Sequence, residues 1–279
     1  MEAMMTNPLA LKLEQFTRFD GAERARLDFL AAQPSKTYAR GATIIAEGEK
    51  VASIHLVLEG LAARAKTLPD GGRQIMAFLV PGDLCDVEVF VLEAMDHDIV
   101  AIADTTCALI PAAMIEDMLT ESSKLTKALW WSTMTDSAVL RERIIDHGSR
   151  NARERIAHIL CELLIRYRIV GVTSDASFPF PLTQKELVQA TGLTSVHVNR
   201  VLQQLRAEGL IVLKNRVVTV LDTHRLKAAG QYEARYLHLT RTERRDPGVS
   251  DRAGDLVPAT HHRLLQDATH TLKSILGRN

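Results

Sequence analysis

The sequence predicts an α+β fold in three parts: an amino-terminal antiparallel β-roll, a long helix, and a carboxy-terminal winged helix-turn-helix. Three observations lead there. Short apolar runs separated by glycines fill residues 38–111, helical periodicity returns after Pro111, and two capped helices followed by a basic hairpin lie between Thr183 and Leu221. Many short strands with turn glycines read as an antiparallel sandwich or barrel. Apolar residues recurring every three or four positions read as helix.

Leu11, Leu27 and Leu30 predict short helices over residues 8–33, stopped by Pro34. From Tyr38 the apolar runs are 43–46, 54–58, 75–80, 99–103 and 107–110. Asp70-Gly71-Gly72 is the best hairpin turn among them. Past Pro111 the helical spacing persists to about Gly148. On that helix Trp131, Met134, Ala138 and Ile145 form one stripe, broken by Arg141. The stripe is either a dimer seam or the side of a helix that lies on its own domain, and two adjacent tryptophans favour the seam. A second helix runs from about Asn151 to Val170, with Ile156, Ile159, Leu160, Leu163 and Tyr167 as its core face. His158 and Cys161 flank that face as packed side chains. A helix from Thr223 to about Leu239, a linker over 241–258 and a last helix over 259–276 follow. The expected division is 1–111 for the roll and its leading helices, 112–148 for the long helix, 149–240 for the winged helix-turn-helix and 241–279 for a linker and helical tail.

With 279 residues, 46% hydrophobic and 24% charged, the chain has apolar surface enough for two ordinary cores. Cys85, Cys107 and Cys161 are odd in number and far apart, which excludes a CxxC zinc site and suits a reducing compartment. No apolar run approaches the roughly 18 residues of a membrane span, so a cytoplasmic protein without membrane contact is expected. Net charge is zero, yet it is unevenly spread. Residues 74–121 hold ten carboxylates and no Lys or Arg, whereas 150–216 hold ten basic residues against five acidic ones. The second half is suited to face phosphates and the first is not.

Thr183 and Glu186 have capping-box spacing, so a helix starts there. Gly192 supplies a left-handed turn, and Thr194 caps a second helix whose Val198, Val201, Leu202 and Leu205 make one apolar face. Val196, Asn199, Arg200 and Gln203 then cluster on the opposite, outward side, as a recognition helix presents itself to a major groove. A guanidinium at Arg200 matches the O6 and N7 acceptors of guanine, and Val196 suits a thymine methyl group. Asn199 either reads a base or holds a phosphate. Thr183, Lys185, Thr194 and the helix-start residues Ser195 and His197 are placed for phosphate and groove contacts. Residues 210–213 and 217–221 form two β runs joined by Lys214-Asn215-Arg216, a basic wing whose Lys214 and Arg216 are placed for the DNA backbone.

The string Leu182-Thr183-Gln184-Lys185-Glu186-Leu187 through Gly192 to Arg200 resembles the DNA-binding signature of the Crp/Fnr family of bacterial regulators. Gly41, Glu47-Gly48-Glu49, Leu56 to Gly60 and Pro81-Gly82-Asp83 resemble, in order, that family's cyclic-nucleotide-binding β-roll. The resemblance implies a homodimer joined along the long helix on a pseudo-palindromic double-stranded DNA operator, with RNA polymerase open as a further partner. It places base contacts at Ser195, Val196 and Arg200, with Asn199 joining in some subgroups. Val196 departs from the glutamate that many members carry.

The roll also departs. Where cyclic-AMP-binding members carry a ribose-holding glutamate and a phosphate-neutralising Arg-Ser pair, this chain has Asp86, Asp96 and His97, and no arginine lies between Arg73 and Arg141. A phosphate beside uncompensated carboxylates costs on the order of several kcal/mol in a partly dry pocket. Control by cyclic AMP is therefore not expected, and with no amino-terminal cysteine cluster an iron-sulfur route lacks support. Either the roll is an effector-free scaffold, the favoured reading, or it takes a neutral, cationic or protein partner. Enzymatic activity is not expected, nor any cofactor, metal or catalytic residue: His97-Asp98 and His261-His262 are the suggestive pairs, and both read as surface residues. The expected function is sequence-specific DNA binding in transcription control. The alternative is an effector receptor acting without DNA.

Overall fold

The computed structural model of the chain describes residues 7–87, 92–173 and 175–239. Helices α1 (Pro8–Leu13) and α2 (Gly21–Ala31) precede the strands β1 (Ser35–Tyr38), β2 (Thr43–Ile45), β3 (Ser53–Glu59), β4 (Ala62–Thr67), β5 (Arg73–Leu79), β6 (Asp98–Ala101) and β7 (Thr105–Pro111). These strands form two antiparallel sheets, ordered β1-β7-β3 and β2-β6-β4-β5, which share a core of Tyr38, Ile45, Val57, Leu79, Ile99 and Cys107. The five apolar runs of the sequence became β2, β3, β5, β6 and β7. Strand β4 escaped because it is built on Ala62, Ala63 and Ala65, weak strand formers without an alternating pattern. Its burial explains the alanines: Ala62 packs into the roll core, while Ala63 and Ala65 pack with residues of the carboxy-terminal half.

The single helix expected over 112–148 is two. α3 (Ala112–Glu121) and α4 (Ser123–Gly148) are separated at Ser122, which is extended (φ −136°, ψ 109°) and accepts a hydrogen bond from the Leu125 amide at 3.3 Å. A serine with an N-cap option stops one helix and starts the next. The stripe on α4 also needs correction. Trp131 turns inward and stacks on Phe16, with ring centroids 6.1 Å apart, and Ala138 is buried. Met134 and Ile145 remain exposed, and the residues that share their exposure are Trp130, Leu140 and Ile144. α4 carries two apolar faces, and periodicity alone does not say which one its own domain covers.

α5 (Ala152–Ile169) opens with a capping box between Asn151 and Glu154 and is buried along most of its length. It is tied to the roll by a chain of buried ions. Asp83 accepts from Lys12 Nζ (2.8 Å) and from Arg166 Nη2 (2.5 Å), and Arg166 also donates to the Phe78 carbonyl (2.9 Å). Glu162 lies 3.4 Å from Arg166 and 3.5 Å from Arg143, and accepts from the Tyr236 hydroxyl at 3.0 Å. Arg143 donates to Asp146 at 2.7 Å, which also accepts from Arg150 at 2.8 Å. His158 and Cys161 are buried, as packed side chains.

After α5 come β8 (Ser177–Pro179), α6 (Gln184–Thr191), α7 (Ser195–Ala207), β9 (Ile211–Lys214), β10 (Val217–Val220) and α8 (Thr223–Ala229). The helix expected to reach Leu239 ends at Gly230 and gives way to a 3-10 turn over Ala234–Leu237. Gly230 approaches α5 so closely that a Cβ there would sit 2.7 Å from the His158 amide nitrogen. Close packing against α5 therefore requires a glycine at the end of α8. The linker and last helix expected beyond residue 240, with His261-His262, lie outside the described residues. Among the described residues no helix is long and apolar enough to cross a membrane, and no group of three or more His, Cys, Asp or Glu could hold a metal ion.

Candidate nucleic-acid interface and effector cavity

The helix-turn-helix forms from local signals that the sequence states clearly. Thr183 Oγ1 accepts from the Glu186 amide (3.3 Å), and Glu186 Oε2 accepts from the Thr183 amide (2.6 Å), closing the capping box of α6. Gly192 ends α6 in the left-handed region (φ 68°), where a side chain would be strained and would meet the His147 ring. Thr194 then caps α7 by accepting from the His197 amide at 3.3 Å. Val198, Val201, Leu202 and Leu205 are buried, as their spacing predicts. Burying that face fixes which side of α7 remains outside. Ser195, Val196, His197, Arg200 and Gln203 are exposed, Val196 to 64%.

Strand β10 lies between β8 and β9, all antiparallel, and the β9–β10 turn is the wing. Its two turn residues, Asn215 and Arg216, have φ of 52° and 59°. Positive φ at both central positions is the type I′ form of a two-residue hairpin, which Asn accepts readily and Arg does not. Placing an arginine rather than a glycine there costs on the order of 1 kcal/mol of backbone energy and sets a cation on the wing tip.

The cations of this half fall into two groups, those held by other protein groups and those left exposed. Arg150, Arg153, Arg155 and Arg166 are held by protein carboxylates or carbonyls. Lys185 at the start of α6, Arg200 and Arg206 on α7, and Lys214 and Arg216 on the wing are exposed and make no side-chain hydrogen bond or ion pair among the described residues. Unpaired cations beside an outward helix face are what a phosphate backbone requires. Arg206 was missed in the sequence because it lies a turn beyond the expected reading residues. Asn199 differs from expectation: it is half-buried and shares a reciprocal amide pair with Gln184.

α6 also docks on the roll. Arg40, in the β1–β2 loop, donates to both Glu186 oxygens at 2.7 and 2.8 Å and to the Pro181 carbonyl at 3.0 Å. Nothing in the sequence signalled this contact between positions 146 residues apart.

A Crp-like helix-turn-helix domain model matches residues 154–229, and a cyclic nucleotide-binding domain model matches residues 35–122. The chain belongs to the Crp/Fnr family. Its similarity to the transcriptional activator protein FnrL of Cereibacter sphaeroides is 28% identity over 213 residues, covering 75% of this chain and 84% of that protein. To the nitrogen fixation regulation protein FixK of Bradyrhizobium diazoefficiens it is 26% identical over 209 residues, covering 75% and 86%. Among solved structures, FixK2 from Bradyrhizobium japonicum superposes with a TM-score of 0.64 at 25% identity, covering 72% of this chain and 98% of that one. This Crp/Fnr protein is a DNA-binding transcription regulator.

In its roll, a cavity of about 390 Å³ lies against α4, lined by Arg64, Lys66, Met76, Met95, Asp96, His97 and Asp136 among others. Three expectations change here. The absence of a cation between Gln74 and Ser123 does not leave the cavity without one, because antiparallel pairing sets β4 beside β6, with Arg64 opposite Ile99 and Ala65 opposite Asp98. Asp86 does not line the cavity; it is fully buried and binds the His55 amide (2.8 Å) and Nδ1 (2.9 Å). His97 is no plain surface residue, since its ring lies between Asp96 (2.5 Å) and Arg64 (3.2 Å). Both cations are engaged. Arg64 contacts the Cys85 and Leu84 carbonyls at 2.8 and 3.2 Å and Asp136 at 3.5 Å, while Lys66 binds Glu47 and the Asp96 carbonyl.

Proposed function

We propose that this regulator acts as a homodimer on a pseudo-palindromic operator, with one α7 in the major groove of each half-site and Arg200 reading a guanine. The observation that carries this reading is the set of unpaired cations on α6, α7 and the wing around the exposed Val196 and Arg200. Ser195 and Val196 lie at the groove-facing start of α7, and Lys185, Lys214, Arg216 and Arg206 supply phosphate contacts. The outward face of α4, with Trp130, Met134, Ile144 and Ile145, is the dimer surface. The protein works by binding, without catalysis, in the cytoplasm, and RNA polymerase is its partner at the promoter.

Arg200→Ala is expected to flatten discrimination at one base pair per half-site, at a cost of roughly 1–3 kcal/mol. Lys214→Ala is expected to weaken binding evenly across sequences and to reduce the salt slope by about 0.9 for each phosphate it no longer neutralises. Selection of bound fragments from random DNA, followed by affinity measurements over a salt series, checks both. Unchanged specificity in Arg200→Ala would sink the assignment.

Cyclic AMP does not control this protein. Both cavity cations are already matched by carboxylates, so a cyclic phosphate would have to displace Asp136 from Arg64 and Glu47 from Lys66, and would then lie near Asp96. Titration calorimetry is expected to show no binding of cyclic AMP or cyclic GMP at micromolar concentration, and operator affinity is expected to be the same with and without them. Micromolar binding that disappears in Arg64→Ala would overturn the claim.

A further inference from the structure

Asn199 is a half-buried polar residue of α7 whose hydrogen-bonding edge is already occupied. Gln184 Nε2 donates to Asn199 Oδ1 at 2.5 Å, and Asn199 Nδ2 donates to Gln184 Oε1 at 3.1 Å. An asparagine reads adenine with this same edge, its oxygen accepting from the N6 amino group and its amide donating to N7. The Gln184 amide presents a donor beside an acceptor, as the major-groove edge of adenine does. We infer that Gln184 is a specificity-determining residue: it occupies the adenine-reading edge of Asn199 as an internal mimic of the base and so suppresses selection for adenine at that position. The inference rests on α7 being the recognition helix.

The surroundings allow this competition. Gln184 is the first residue of α6 and is exposed, so its side chain is free to leave the pair without disturbing the core. A cavity of about 180 Å³, lined by Gln184, Asn199, Gln203, Arg206 and Leu213, adjoins the pair and has room for the displaced side chain. An adenine that pairs with Asn199 must first expel Gln184, and its two hydrogen bonds replace two that already exist. The net gain over other bases is therefore small. Removing Gln184 leaves the edge open to solvent, and adenine then gains the full bidentate contact.

Binding of the full chain to an operator library randomised at every position tests this, using wild type, Gln184→Ala, Asn199→Ala and the double variant. Wild type is expected to be nearly indifferent at the base pair facing residue 199. Gln184→Ala is expected to prefer adenine there by roughly tenfold or more, and both variants lacking Asn199 to be indifferent again. If Gln184→Ala has the wild-type base preferences at every position, or loses affinity evenly across all sequences, Gln184 is a scaffold or phosphate residue and the inference is overturned. A wild-type adenine preference that disappears in Asn199→Ala but is unmoved in Gln184→Ala would also overturn it. A wild type that selects no sequence at all overturns this inference together with the operator reading, whereas selection elsewhere in the half-site leaves that reading standing.

Discussion

Asp83→Ala is expected to lower the stability of the fold by roughly 3–5 kcal/mol, the usual cost of leaving a buried charge without its partner. Asp83 is 1% exposed and joins three separate pieces of chain: Lys12 of α1, Arg166 of α5 and the backbone amide of Val80, which donates to it at 2.6 Å. Removing the carboxylate leaves two buried cations facing each other, with Glu162 and Asp136 as their remaining counter-charges. Urea denaturation checks this, with a lower midpoint and an unchanged slope as the expected result. Asp96→Ala, at a largely exposed position, is the control and is expected to stay within about 0.5 kcal/mol of wild type.

The same network gives the fold a defined response to acid. Burial alone would raise the Asp83 and Glu162 carboxyls, but Arg166 and Lys12 beside the first, and Arg143 and Arg166 beside the second, hold both below the usual carboxylate range. Because their folded values are depressed, the stability they contribute is present above about pH 4.3, the ordinary carboxyl range, and is lost as pH falls through the folded values. Burial also holds His158 below its ordinary value, with Glu162 and Asp146 opposing. Because the folded value is depressed, the unfolded imidazole takes up its proton first as pH falls below about 6.5, so its share of the loss begins there. Denaturation midpoints are therefore expected to fall in two windows on acidification. In Asp83→Ala the lower window is expected to shrink, and an undiminished lower window would assign the acid sensitivity to other carboxylates.

What the sequence made legible is what local chemistry decides. The Thr183–Glu186 capping box, the left-handed Gly192, the Thr194 cap and the spacing of Val198, Val201, Leu202 and Leu205 each need only a few neighbouring residues, and each took its expected form. What it concealed depends on contacts between distant segments. β4 looked like no strand because its alanines answer to packing from both sides. Arg64 and Lys66 seemed remote from Asp96 and His97 until pairing of β4 with β6 placed them at one cavity. Arg40 meets Glu186, and Gln184 meets Asn199, through tertiary docking that no periodicity encodes. The charge asymmetry marked the basic half as the one suited to phosphates, but a window along the chain is not a volume in space, and that is why it misjudged the cavity.

Trp130→Glu combined with Met134→Lys is expected to convert a dimer to a monomer, raising the dimer dissociation constant by roughly a thousandfold if each substitution, counted over both protomers, costs about 2 kcal/mol. Trp130 is 70% exposed and Met134 58%, and Ile144 at 71% continues their line along α4. Steps of four, three, four and three residues take the line from Trp130 through Met134, Ser137 and Arg141 to Ile144, the period of a two-helix seam. Large apolar side chains in such a row, on a helix whose opposite face already packs on its own domain, fit a second copy of the same helix across a two-fold axis. That axis would also set the spacing of the two recognition helices, so operator affinity is expected to fall together with the solution mass. Trp131→Glu separates this surface from the core. Its ring stacks on Phe16 inside the fold, so it is expected to lower the denaturation midpoint, whereas the Trp130 and Met134 pair is expected to leave the fold intact. Sedimentation of both variants checks the assignment, and a Trp130→Glu, Met134→Lys protein that keeps the wild-type mass would move the seam off this face of α4.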